Sequence, residues 1–254
     1  MLYPLSYKRW EALIFRQPVH FTSTRPSRKT PLTTIRGVIS SPPVLVALEN
    51  ESIEILRETP TAFRKALAPG PMPFPLMQID TSWKLKEIIS FRGETAKEVG
   101  FELIAQAKHD GIKDEIDPFS TGASMYTGIM KTVALRAGLD IQGFDAAIGG
   151  WRRDEERSRA KERIFSVREP GHRWEPRTQR PELWRTYNPK LATYQTMRIF
   201  PLSHWTELDV WNYVLQDNIK VSPLNFAKER PIVWRGNRMI MVDDKRYPLK
   251  DGET

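Results

Sequence analysis

Apolar and polar positions become periodic only after residue 47. In "LENESIEILRE", Leu48, Ile53, Ile55 and Leu56 stand among acids and polar residues, a spacing that predicts an amphipathic helix of roughly two to three turns, limited by Pro60. The turn-rich "APGPMPFP" then leads into "FPLMQID", a short apolar run predicted as a buried strand ending at Asp80. "SWKLKEIISFRGETAKEVG" predicts a helix with Leu85, Ile88 and Ile89 on one side and Gly100 as its stop. "FELIAQ" reads as the next strand, "ASMYTGIMKTVALRAG" as a helix closed by Gly138, and "FDAAIGG" as a strand without polar alternation.

Beyond Lys161 the rhythm weakens. "HRWEPRTQRPELWRTYNP" suits a long ordered loop, with the tryptophans at 174, 184, 205 and 211 expected as packing anchors. "MRIFPLSHWTELDVWNYVLQDNI" predicts a strand, then a helix capped by Thr206 that buries Leu208, Val210, Trp211 and Val214. "WRGNRMIMVDD" predicts a turn and a short strand. Strands alternating with helices imply an α/β fold with a parallel sheet covered on both faces, followed by a less regular C-terminal portion.

Composition adds boundaries. Residues 1–47 hold ten Ser/Thr and seven Lys/Arg against one acid, with no sustained period, so they are expected to form a poorly ordered extension before a domain spanning 48–254. The chain has no cysteine, which excludes disulfides and thiolate chemistry, and its four histidines lack metal-ligand spacing. Net charge is +8, but residues 151–200 alone carry thirteen basic against seven acidic side chains. That local excess points to a confined anion site and away from a nucleic-acid surface. No stretch has the length of apolar residues a membrane helix needs, and a cytoplasmic location is expected.

Candidate chemistry follows from where charge meets a strand end. Ligands of parallel α/β sheets sit beyond the carboxyl ends of the strands. "IGGWRRDEER" places Gly149 and Gly150 there, where backbone N–H groups could approach an oxyanion. Arg152, Arg153 and Arg157 follow as planar donor forks for sulfate or phosphate. The competing expectation is an exposed helix laced with ion pairs, which accounts for the later charges, Arg159 to Arg163. Asp80 and Thr81 end another strand and could face a nucleotide or serve as a helix cap. His172 reads as structural. No nucleophile–base pair is visible, so no catalytic residue is assigned.

"PFPLMQIDTSWKLKEIISFR", "MKTVALRA", "GFDAAIGGWRRDEERSRAKERIFSVRE", "HRWEPRTQRPELWRTYN" and "RIFPLSHWTELDVWNY" together resemble the small subunit of bacterial heterodimeric ATP sulfurylase, which also occurs as a nodulation protein. The resemblance covers about residues 48–251 and implies the adenine nucleotide alpha-hydrolase fold shared with phosphoadenylyl-sulfate reductases. It implies adenylyl transfer from ATP to sulfate, Mg²⁺ as cofactor with unassigned ligands, and a GTPase large subunit as partner. It implies neither a nucleic acid nor a membrane as partner.

Two departures stand out. The family's pyrophosphate-binding S-x-G-K-D-S loop is absent, and "LENESIEILRETPTAFR" runs straight into "KALAPGPMPFP". About twenty residues, enough for a short β-loop-α element, are missing, and with them the central first strand. Its neighbours are expected to show unpaired edges unless "PPVLVAL" fills the slot as a strand. The chain is also expected to lack an arginine-containing tail after "VDDKRYPLKDGET". These departures leave two functional expectations: sulfate activation, or an inactive remnant that still binds the large subunit.

Overall fold

A computed structural model of the chain describes residues 43–62, 74–114, 116–155, 160–183, 187–236, 238–242 and 244–252. The rest of the N-terminal extension, Trp184 and Arg157 fall outside these residues. The fold is α/β, and the chain divides into two compact units. One holds the described residues up to Pro75 with Arg136–Lys220, and the other holds Leu76–Leu135 and the residues from Val221 onward.

The first unit opens with helix α1, Pro43–Ala62. Proline suits a first helical turn, whose N–H groups have no intrahelical partner. From there Leu45, Ser52, Ile55 and Thr59 recur every three to seven residues and are all buried. "PPVLVAL" is therefore helix from Pro43 and does not replace the missing strand. The helix is also longer than predicted, and it takes residues 43–47 from the expected extension.

Ile55 packs into a core with Ile164, Phe165, Val167, Met197 and Ile199. Those residues come from strands β4 (Phe165–Glu169) and β6 (Thr196–Ile199) and from the loop before β4. With β3 (Ala146–Ile148) and β5 (Arg173–Trp174) they form a four-stranded sheet of order β3-β6-β4-β5. β3 and β6 run parallel, while β4 is antiparallel to both β6 and β5. β4 was not predicted: "FSVRE" alternates apolar Phe165 and Val167 with polar Ser166 and Arg168, but five residues next to a charge-rich run are a short signal.

The tryptophan- and proline-rich loop has a task in this unit: it covers the edge of β4 that β5 leaves open. The Glu182 carboxylate accepts from the N–H groups of Ile164 (3.1 Å) and Phe165 (2.8 Å). The Gln179 side chain both accepts from Val167 N–H and donates to Val167 C=O, each at 3.0 Å. Side chains thus satisfy backbone groups that a neighbouring strand would otherwise take. A second cluster joins Leu45 of α1 to Leu202 and Trp205, with Val210 and Tyr213 of helix α6 (Glu207–Gln216) against it. Leu208, expected inside, is 68% exposed.

The other unit contains β1 (Leu76–Asp80) and β2 (Leu103–Ala107), a two-stranded parallel sheet. Helix α2 (Lys86–Val99) ends at Gly100, whose φ of 79° is the left-handed cap the sequence predicts. Its buried side chains are Phe91, Thr95 and Ala96; of the predicted face, Leu85 before the helix is buried, Ile88 half-buried and Ile89 exposed. After the short helix α3 (His109–Lys113), helix α4 (Ala123–Thr127) passes through a π-helical turn, Gly128–Val133, into α5 (Ala134–Gln142). Gly138 lies inside α5; the stop is Gly143, at φ 62°. The unit closes with the antiparallel hairpin β7 (Ile232–Arg235) and β8 (Arg238–Met241), where one strand was predicted. Among the described residues β1 pairs only with β2 and β3 only with β6.

Candidate functional site: the loop after strand β3

Gly149 extends the β3–β6 ladder by one bond, its N–H donating to Ile199 C=O at 2.8 Å. This N–H is therefore engaged with the sheet. Neither Gly149 nor Gly150 has positive φ, and a Cβ on Gly149 would make ordinary contact with the Phe200 ring at 3.6 Å. Backbone strain is not the reason for glycine here. Trp151 then turns inward and packs edge-on to Phe200, with ring centroids 5.2 Å apart.

Two anchors leave the arginines with different surroundings. Arg152 is buried, and its Nε donates to Asp154 Oδ1 at 3.2 Å. Asp154 Oδ2 in turn accepts from Glu207 N–H at the start of α6. Arg153 is half-buried and stitched to the loop after β6, its N–H donating to Ser203 C=O at 3.0 Å. Its guanidinium meets His204 Nε2 at 2.7 Å and donates to Glu162 C=O at 3.4 Å. His204 Nδ1 lies 2.9 Å from Glu51 Oε2 of α1. Behind them, buried Glu162 pairs with Arg168 at 2.5 Å and accepts from Ser166 Oγ. Arg153 Nε and the Ser203 hydroxyl are buried with no hydrogen-bond partner among the described residues.

The sequence pointed to Gly149, Gly150, Arg152 and Arg153, which share this loop, and missed Glu51, Glu162, Ser203 and His204. Their partners lie across long stretches of chain, and no local pattern marks them. Arg157 lies outside the described residues, and Lys161 sits in an exposed turn where a helix face was expected.

Asp80 and Thr81 belong to the other unit. Asp80 Oδ1 accepts from Ser82 N–H at 2.9 Å, holding Ser82 at φ 62°, and Thr81 C=O accepts from the Tyr126 hydroxyl. Burial raises the Tyr126 pKa, so it stays a neutral donor. Arg246 lies 4.2 Å over the Trp83 ring and donates to Ser82 C=O at 2.6 Å. The hydrogen bond from Arg246 holds the Asp244 carboxyl down to about 2. His172, the other singled-out side chain, is structural. Its ring is 6% exposed and bridges Asp140 and Thr196.

Comparison with known proteins follows the same lines. Residues 60–232 match the family described as phosphoadenosine phosphosulfate reductase domain. Sulfate adenylyltransferase subunit 2 of Rhodopseudomonas palustris (strain BisA53) is 51% identical over 230 residues, covering 83% of this chain and 70% of that protein. The protein of that name from Azospirillum brasilense is 52% identical over 227 residues, covering 82% and 75%. In both, the aligned positions outnumber the residues this chain contributes, so each relative carries residues inside the matched stretch that are missing here. A phosphoadenylyl-sulfate reductase from Candida auris, solved as a phosphate complex, covers 70% of this chain and 72% of its own at 14% identity and TM-score 0.43. That likeness is too weak to argue from.

Proposed function

The chain belongs to the sulfate adenylyltransferase subunit 2 family, within the phosphoadenosine phosphosulfate reductase domain family, and we propose that it serves sulfate activation by adenylyl transfer. A sulfate oxygen attacks the α-phosphorus of ATP in line, the bond to the β-phosphate oxygen breaks, and pyrophosphate leaves. Such a step needs positioning and charge neutralisation more than an acid–base pair. In this reading Arg152 and Arg153 neutralise the sulfate, joined by Arg157. Gly149 and Gly150 shape the backbone beneath it, and Asp80 and Thr81 face the nucleotide. Guanidinium groups suit this role because they keep their charge at any working pH and offer a planar fork.

The observation that carries the reading is the loop after β3, with Arg153 Nε and Ser203 Oγ lacking acceptors. A buried donor left unmade costs about 1–3 kcal/mol, and an oxyanion would supply the missing acceptor. Mg²⁺ would arrive with the nucleotide. Among the described residues no three His, Asp or Glu side chains gather to hold a metal ion, and no step is assigned to it. The relatives' name, subunit 2, supports assembly with a large subunit, whose GTP hydrolysis would drive the synthesis.

A second reading has its own support. Without the S-x-G-K-D-S loop, and with β1 and β3 each paired on one side only among the described residues, the chain would bind its partner without turnover. The deciding experiment is adenylyl sulfate synthesis from ATP and sulfate, with the large subunit of the Azospirillum brasilense protein and GTP present. Product above the level made by the large subunit alone supports the enzyme. Co-purification without product supports the remnant.

A further inference from the structure

We propose that His204 is a positioning residue: held by Glu51, it fixes the direction in which Arg153 presents its guanidinium. The inference rests on Arg153 as the oxyanion group of the preceding reading. The atoms leave one arrangement. A guanidinium has donors and no acceptor, so at 2.7 Å from Arg153 Nη1 the His204 Nε2 must be the acceptor. Its proton is then on Nδ1, which faces Glu51 Oε2 at 2.9 Å. Glu51 is itself well placed to dictate this tautomer, with a side chain 9% exposed on buried positions of α1.

The result is a three-residue relay from α1 to the strand-end loop. Glu51 orients the imidazole, and the imidazole holds one arm of Arg153 while Glu162 C=O holds the other. A planar fork recognises an oxyanion only in the right plane, so a side chain that sets this plane sets affinity without touching the ligand.

Two measurements test the relay on the full chain. The first is ¹⁵N NMR of the imidazole at neutral pH. A protonated Nδ1 and bare Nε2, with a shift toward the Nε2–H form in Glu51→Ala, are expected. A native protein carrying Nε2–H would overturn the proposal. The second is calorimetric titration with adenylyl sulfate, with thermal melts to confirm folding. His204→Phe should bind roughly tenfold more weakly, the loss expected for one hydrogen bond to a charged group. His204→Gln, which can accept from Arg153 and donate to Glu51, should stay close to the wild type. In an Arg153→Ala background, His204→Phe should cause no further loss. If Arg153→Ala itself binds normally, the oxyanion reading fails. If Arg153→Ala loses binding and a folded His204→Phe keeps it, only the positioning role fails. Should His204→Phe not fold, equal weakening by Arg153→Ala and His204→Gln would count against the relay.

Discussion

Arg152, Arg153 and Arg168 carry the same charge and meet different surroundings, and those surroundings decide what a substitution does. Arg168 neutralises Glu162, and both side chains are at most 10% exposed. Arg168→Ala leaves the buried Glu162 carboxylate without its counter-charge and should cost about 3–5 kcal/mol in urea unfolding, whereas Glu162→Gln with Arg168→Met should recover most of it. Asp244 behaves differently. Its carboxyl is held at about 2 against an ordinary 3.8, first by the Arg246 hydrogen bond. A depressed pKa stabilises the fold above the unfolded value, and that stabilisation is lost as pH falls from 3.8 toward about 2. Urea midpoints of the wild type and Arg246→Leu should therefore converge across that window; a gap unchanged by acid would refute the pairing. That Gly149 to Arg153 follow a strand end was legible in the sequence, because the apolar "FDAAI" run stops at the Gly-Gly pair. Glu51 and His204 were not, since their meeting spans 153 positions.

Elements were legible where local chemistry fixes them. Thr206 caps α6 with a full capping box, its hydroxyl accepting from Asp209 N–H at 3.2 Å while Asp209 reaches back to Thr206 N–H. Thr206→Ala should cost about 1 kcal/mol, readable as a lowered melting temperature, and Thr206→Asp should cost less. A cap at Gly100 was equally plain. Elements went unread where tertiary contacts decide. β4 buries polar Ser166 and Arg168 as well as Phe165 and Val167, because Glu162 partners both polar side chains, and α1 continues through Pro60 because its buried face holds it against the sheet core. The loop from 175 to 183 earns its order from Gln179 and Glu182, whose bonds to β4 are invisible until β4 is known.

At the scale of the whole chain, the absent phosphate loop is the main fact. Among the described residues β1 and β3 lie in separate sheets. Backbone donors for the β- and γ-phosphates go with that loop, so ATP should bind much more weakly here than to subunit 2 of Azospirillum brasilense. Calorimetry on the two proteins would show it; equal affinities would sink the idea. The proposed anion site of Arg152 and Arg153 hangs from another strand and should survive the loss. Titration of adenylyl sulfate into the wild type, an Arg152→Lys/Arg153→Lys double variant and Lys161→Ala tests that claim most directly. Wild-type binding should weaken with salt, the double variant should lose roughly tenfold despite its unchanged charge, and Lys161→Ala should change little. Binding kept by the double variant and lost by Lys161→Ala would contradict it.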